Sequence, residues 1–215
     1  MANKPSGLLV HRGLDNDDDV AMFRVRDAIG EHVHPLHRLD RGTSGALLFA
    51  RSRAVAASMS RAFEEGRVDK RYLALVRGTP PESGTIDYAI PKEDGGPRVP
   101  AVTRFRRIAR STVDRCSLVL AMPETGRLHQ IRRHLRHIDH PLVGDVEHGS
   151  GEINRRYRAE YSLHRLALHA VFLAFVHPVT GQRIEVSAPL PADLAAPLAL
   201  LALPQGALPD EAAAG

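Results

Sequence analysis

Three short segments carry the residue types that chemistry on a charged substrate would need. In His37-Arg38-Leu39-Asp40-Arg41-Gly42-Thr43-Ser44-Gly45 an acid stands between two arginines in a glycine-bounded turn. Neighbouring cations favour the ionised carboxylate, the form a nucleophile or general base requires. A turn-capping aspartate with a local ion pair would read the same way. In Thr125-Gly126-Arg127-Leu128-His129-Gln130-Ile131-Arg132-Arg133-His134 a glycine turn opens a basic helix whose start can hold an anion. An amphipathic helix with a hydrated arginine face fits these residues equally. Third, Lys70-Arg71-Tyr72 sets a tyrosine at the head of an aliphatic strand. Its ring could stack on a nucleobase or simply pack in the core.

Other chemistries fit less well. Of the twelve histidines, His129, His134 and His137 lie close in sequence, but at spacings of 5 and 3 that do not make H-E-x-x-H, so no metal site is expected. Gly42-Thr43-Ser44-Gly45 is one residue short of a nucleophile elbow. Cys116 is the only cysteine, which excludes a disulfide framework. There is neither a P-loop nor a G-x-G-x-x-G fingerprint.

The chain that must position these groups has 215 residues, 43% of them hydrophobic and 25% charged, enough to bury a substantial core. Its longest apolar stretch, near Leu168–Val176, falls far short of the ~20 residues of a membrane span. Met1-Ala2-Asn3-Lys4 carries no apolar signal segment, so a cytoplasmic protein is expected. Charge is unevenly spread. Residues 1–97 balance 14 basic against 14 acidic side chains, whereas residues 98–183 hold 15 arginines against 7 acids. Residues 184–215 hold 4 acids and no base. A positive excess confined to one third of the chain points to a polyanion, although an arginine-rich solvated surface has the same composition.

Capping and periodicity predict the elements. Asn16–Asp19 precede Val20, Phe23 and Ile29, and Gly30 follows, which marks a first helix at both ends. Leu8–Val10 reads as a strand, as does Ala46–Ala50 after the polar turn Asp40–Gly45. Ser52 caps a second helix that Gly66 ends. Strands are predicted at Tyr72–Val76, Thr85–Ile90, Val102–Ala109, Ser117–Ala121, Leu166–Val176 and Arg183–Val186. Glu93–Pro97 reads as an exposed turn. Leu128, Ile131, Leu135 and Ile138 form one stripe of a helix over Arg127–Ile138, with Arg132, Arg133 and Arg136 on its other faces. A loop runs through Gly144–Gly151, Asp193–Leu203 is a short helix, and Pro204–Gly215 is a disordered tail. Together these predict one mixed α/β (α+β) domain over residues 1–203.

The three segments, in this order, resemble the RluA-type pseudouridine synthases. The likeness runs through His37-Arg38-Leu39-Asp40 with Thr43-Ser44-Gly45, then Lys70–Gly78, Thr125–Arg132, His140-Pro141-Leu142-Val143-Gly144-Asp145 and Leu166–Ala170. His177–Gly181 and Ala188–Pro191 extend it, so that it covers roughly residues 3–192. Within the family the chain is most similar to the small branch of tRNA pseudouridine(65) synthases. The features that match are Asn3–Gly7 with Val10-His11-Arg12, and Gly144–Gly149 with Asn154–Arg158. Two departures stand out. Family members usually have a strand before the Asn-Lys-Pro segment, and this sequence starts almost directly at it, so either the start is placed late or the sheet is expected to lack an edge. The stretch Gly84–Cys116, which holds Arg104, Arg106, Arg107 and Arg110, has diverged.

The resemblance implies a central, largely antiparallel sheet flanked by helices with an active-site cleft, and isomerisation of a uridine to pseudouridine. That reaction exchanges an N1–C1′ bond for a C5–C1′ bond without redox change, so no cofactor and no metal is implied. Asp40 matches the essential carboxylate, with two routes open to it: attack on the sugar or ring, or removal of a ribose proton to start a glycal path. Arg132 matches its basic partner, Tyr72 the aromatic that stacks on the base and is expected to help remove the C5 proton, and Ile131 and Leu168 the apolar walls. Arg38 matches the arginine that fills the gap left by a flipped nucleotide. His37, Thr43, Arg127 and Gln130 are expected to touch substrate. The implied partner is RNA, tRNA first and rRNA as the alternative. No membrane, no obligate protein partner and a monomer are expected. A non-catalytic RNA binder on the same fold would have lost Asp40 or Arg132, and both are present.

Overall fold

The continuous apolar runs at 72–76 and 116–123 have no polar face to show to water, so they must lie in strands covered on both sides. The computed structural model, which describes residues 1–12, 18–92 and 95–205, places them in this way. In chain order the elements are β1 (Ala2–Lys4), α1 (Ala21–Ile29), β2 (His34–Pro35), β3 (Ser44–Leu47), β4 (Phe49–Ala50) and α2 (Arg53–Glu64). There follow β5 (Asp69–Arg77), β6 (Ser83–Asp87), β7 (Ile90–Pro91), β8 (Arg98–Val99), β9 (Val102–Arg110) and β10 (Cys116–Pro123). The chain continues with α3 (Gln130–His137), α4 (Gly151–Tyr161), β11 (Leu168–Val176), β12 (Arg183–Ser187) and α5 (Ala192–Leu200).

One sheet runs in the order β1-β3-β11-β5-β10-β9-β6, with β12 also pairing with β11. All its pairs are antiparallel except β3 with β11, which agrees with the expected mixed α/β architecture. Alternate residues of β5 feed two cores. Tyr72, Ala74 and Val76 pack with Ile131 and Leu135 of α3, whereas Leu73 and Leu75 pack with Tyr157 of α4 and Leu194 and Leu198 of α5. Burying each such leucine is worth about 1.5–3 kcal/mol. A third cluster joins Met59 and Ala62 of α2 to Leu173 and Phe175 of β11.

Several local expectations need correction. The first strand is Ala2–Lys4, pairing with β3 at the edge of the sheet, and not Leu8–Val10; Leu9 makes only one bridge, to Val20. Helix α1 starts at N-cap Val20 without a side-chain cap, because Asp19 is drawn to Arg24 instead. Asn16 and Asp17, like Glu93, Asp94 and the tail from residue 206, lie outside the described residues. Ser52 does cap α2, accepting from the Val55 N–H. Helix α3 begins three residues later than the predicted start at Arg127, so Leu128 falls outside it and is exposed. The largest miss is α4, in a stretch with no predicted helix. Its signals were Ser150 at the N-cap, Glu152 in the first turn, and Ile153, Tyr157 and Tyr161 four residues apart, in a segment that starts with two glycines. Among the described residues no helix is long and apolar enough to cross a membrane.

Candidate active site

Asp40 lies in the loop between β2 and β3, and the N-terminal segment clamps that loop. The Gly7 N–H donates to Arg41 O at 2.8 Å and Ser6 Oγ to Gly42 O at 2.8 Å. The buried Lys4 ammonium reaches Leu8 O (2.7 Å), Pro5 O (3.0 Å) and Arg41 O (3.2 Å). Burial, followed by Arg165, pulls Lys4 down to about 8, while the charge of Asp40 works the other way. The Thr43 N–H closes the turn on Asp40 O at 3.0 Å.

Beyond the turn, β3 must come up against β11. Gly45 makes this possible: with φ +117°, a Cβ there would meet Ala170 O at 2.2 Å. Beside it, Ser44 Oγ bonds His169 Nδ1 (2.8 Å), whose Nε2 is bonded to Ala188 O (3.1 Å). That carbonyl can only accept, so Nε2 carries the proton and Ser44 donates to Nδ1. Ser44 in turn accepts from Arg165 Nη2 at 2.6 Å, and Arg165 Nη1 is anchored on Asp193 at 2.9 Å. Ser44 is thus a fully buried brace, not a nucleophile.

Arg132 faces Asp40 from α3. Its Nε and Nη2 fork onto Asp145 at 2.7 and 2.8 Å, and its remaining Nη1 lies 3.5 Å from Asp40 Oδ2. Of the two readings, a hydrated helix face and a partner of Asp40, the geometry of this residue fits the second: Arg132 is buried, because a paired guanidinium can leave water. Burial opposes the charge of Asp145, but Arg132 and the N–H groups of His148 and Glu147 outweigh it and hold the carboxyl below its ordinary range. Gly144, at φ +80°, lets this turn pass Arg165, where a Cβ would lie 1.9 Å from the carbonyl oxygen.

Asp40 and Arg132 stand where two cavities meet, one of about 440 Å³ and one of about 520 Å³. The first is walled by Tyr72, Ile131, Leu168 and Thr43, so the expected aromatic and apolar residues share one pocket with the carboxylate. Burial, then the charge of Asp40, pushes the Tyr72 phenol well above its ordinary value. Thr43 Oγ1 is buried without a hydrogen-bond partner among the described residues. Arg38 is exposed and lines both cavities, and Arg127 is exposed at the rim of the first with Nε on Pro100 O at 3.2 Å.

Two residues expected to touch substrate, Gln130 and His37, line the first cavity and are also bonded within the protein. Gln130 Oε1 accepts from Thr125 Oγ1 (2.7 Å) and the Arg127 N–H (3.0 Å), while Nε2 donates to Val102 O (2.9 Å) and Thr103 Oγ1 (3.0 Å). It shapes the 125–127 loop. His37 Nε2 accepts the Leu48 N–H at 3.2 Å and its ring stacks on Phe63 at 4.8 Å. Burial and the nearby Lys70 charge lower His37 to about 4, so it is neutral at pH 7.

Sequence reasoning missed Asp145, Lys4 and Arg165 as organisers of the site; the first two were visible only as parts of motifs, and Arg165 lies one residue before the Leu166–Ala170 segment. The histidines of α3 also part company. His134 is buried between Thr103 Oγ1 and Tyr88 O, and His137 stacks on Tyr88 at 3.6 Å. His129 is at the α3 N-cap, at φ +52°, and lies with Glu147 and His148 beside Asp40.

The arrangement offers one half-buried carboxylate, a cation aimed at it, an aromatic and two aliphatic walls, and arginines at the rim. It suits chemistry on a flat, polar ring carried by an anion. Comparison with known proteins agrees. The family model described as RNA pseudouridylate synthase matches residues 1–137. A tRNA pseudouridine synthase C of Vibrio parahaemolyticus is 42% identical over 207 residues, spanning 86% of this chain and 84% of the relative. One from Yersinia pestis is 44% identical over 208 residues, spanning 86% and 80%. Among solved structures, human RNA pseudouridylate synthase domain containing 1 superposes with a TM-score of 0.73 at 31% identity, covering 88% of this chain and 78% of that one.

Proposed function

The chain belongs to the RNA pseudouridylate synthase family, and we propose that it isomerises a uridine of tRNA to pseudouridine with Asp40 as the essential carboxylate. The observation that carries this reading is the Asp40–Arg132 contact at the junction of two cavities, with Tyr72 in the wall. In the reaction the N1–C1′ bond breaks, the base turns, and C5 bonds to C1′. C5 releases a proton and N1 takes one up, so atoms balance without an external reactant. Arg132, with Nη1 3.5 Å from Asp40 Oδ2, orients that carboxylate, and the apolar walls of Ile131 and Leu168 hold the ring while it is unattached.

A uridine stacked in a helix cannot turn, so the target must be flipped out. Arg38, at the mouth of both cavities, is placed to occupy the vacated space. The basic third of the chain supplies phosphate contacts, which give affinity without reading sequence. The names of the relatives support tRNA as the substrate.

Pseudouridine mapping by carbodiimide primer extension tests this, using RNA from cells lacking the gene and from cells restored with Asp40→Ala. Loss of one tRNA site in both strains is the expected result. Loss of a ribosomal site would overturn the tRNA assignment, and restoration of the site by Asp40→Ala would overturn the role of the carboxylate.

A further inference from the structure

We propose that His129, Glu147 and His148 form a binding site for a zinc-like divalent transition-metal ion at the lip of the catalytic cleft, and that its occupation inhibits the isomerase. Three potential ligand atoms converge there. His129 Nδ1 lies 3.2 Å from His148 Nε2 and 3.3 Å from Glu147 Oε2, and His148 Nε2 lies 3.9 Å from the same oxygen. Ligand atoms held about 2.0–2.1 Å from a tetrahedral zinc are roughly 3.3 Å apart. Two imidazole nitrogens and one carboxylate oxygen thus already span three corners of a tetrahedron, and the fourth is left for water or substrate.

The corners are held by the fold. Asp145 Oδ1 accepts the N–H groups of both Glu147 (3.0 Å) and His148 (2.9 Å), which sets the turn that carries two of the ligands. Glu147 divides its oxygens: Oε1 lies 3.4 Å from Arg132 Nη2, leaving Oε2 for the ion. The local charge also favours a dication. Carboxylates of Asp40, Asp145 and Glu147 gather around the single guanidinium of Arg132, although Arg133 also acts weakly on His148.

The link to catalysis is the other ring nitrogen of His129. Its Nε2 lies 3.9 Å from Asp40 Oδ2. A metal on Nδ1 forces the proton onto Nε2, and metal-bound histidines hold that N–H on a carboxylate where one is near. Occupation would therefore draw the Asp40 carboxylate into a bond with His129 and away from the ribose. This second half rests on the proposed isomerase reading; the binding site itself does not.

The test is a titration of the full chain with cobalt(II), followed by visible absorption and displacement with zinc. One equivalent with the strong absorption of four-coordinate cobalt is expected, weakened roughly 10-fold or more by His148→Ala and by the exposed Glu147→Gln. Absence of that absorption, or unchanged binding in both variants, would overturn the site. With RNA, saturating zinc is expected to lower turnover at least about 10-fold in the native chain and to spare His148→Ala. Equal inhibition of the two would overturn the inhibitory role. The cobalt spectra need no RNA, so failure of the uridine chemistry is read separately.

Discussion

Asp145 grips two of the three nitrogens of Arg132, at 2.7 and 2.8 Å, and thereby points the third at Asp40. Arg132 is buried and does not reorient freely, so the direction of its remaining nitrogen is set by Asp145. Removing that grip tests the arrangement. Asp145→Asn leaves a buried guanidinium short of an anion and is expected to cost about 3–5 kcal/mol in urea unfolding. Turnover of the folded fraction should fall with KM little changed. A fall in RNA affinity alone would place Asp145 in binding instead.

Tyr72 keeps its proton throughout the neutral range, since burial and Asp40 both push the phenol up. Tyr72→Phe keeps the ring and is expected to bind RNA within about 3-fold of the native chain while turnover drops by roughly 10²-fold or more. Unaltered turnover would reduce Tyr72 to a packing residue.

His37 makes stability depend on pH. Its native value, about 4, lies below the unfolded one, so between about 6.5 and 4 the unfolded chain binds the extra proton. Stability is then complete above about 6.5 and falls with acidification, with a slope approaching about 1.4 kcal/mol per pH unit. His134, His148 and His169 are shifted the same way. His37→Gln, which can still accept the Leu48 N–H, should flatten the decline measured by denaturant unfolding at pH 7.5 and 5. An unchanged slope would assign the effect to the other three.

Gly45→Ala would drive a methyl group into Ala170 O while also straining a positive φ. A loss of more than about 3 kcal/mol is expected, read as a lowered Tm or as insoluble expression. A folded, active variant would mean that β3 and β11 separate more easily than their packing implies.

Arg38→Ala, at an exposed position, should leave the fold intact. If Arg38 contacts a phosphate, the salt dependence of RNA binding weakens by about one unit of slope. If it fills the space of the flipped base, affinity at fixed salt changes little and turnover falls. The two readouts separate the roles.

Local signals carried much of this architecture. The apolar runs of β5 and β10, the Ser52 cap and the paired strands β9 and β10 were visible because neighbours in sequence decide them. So were Asp40, Arg132 and Tyr72 as a group, through motif order. What escaped depends on distant partners. Arg132 is a surface residue by helical position and becomes a buried one only because Asp145, 13 residues on, meets it. Gln130 and His37 carry polar groups that suit a ligand, yet Thr103 and Leu48 engage them first. The His129 cluster draws on a helix cap and a loop 18 residues away, beyond the reach of any one-helix spacing rule.

The brace through Ser44, His169 and Arg165 has a consequence for how the protein is made. The loop that carries Asp40 emerges early in synthesis, but the strand that braces it, β11, begins only at Leu168, and Asp193 follows later still. Contacts 125 residues apart cannot form until both partners have left the ribosome. The growing chain therefore carries Asp40 for most of its synthesis before the β11 side of its surroundings can form.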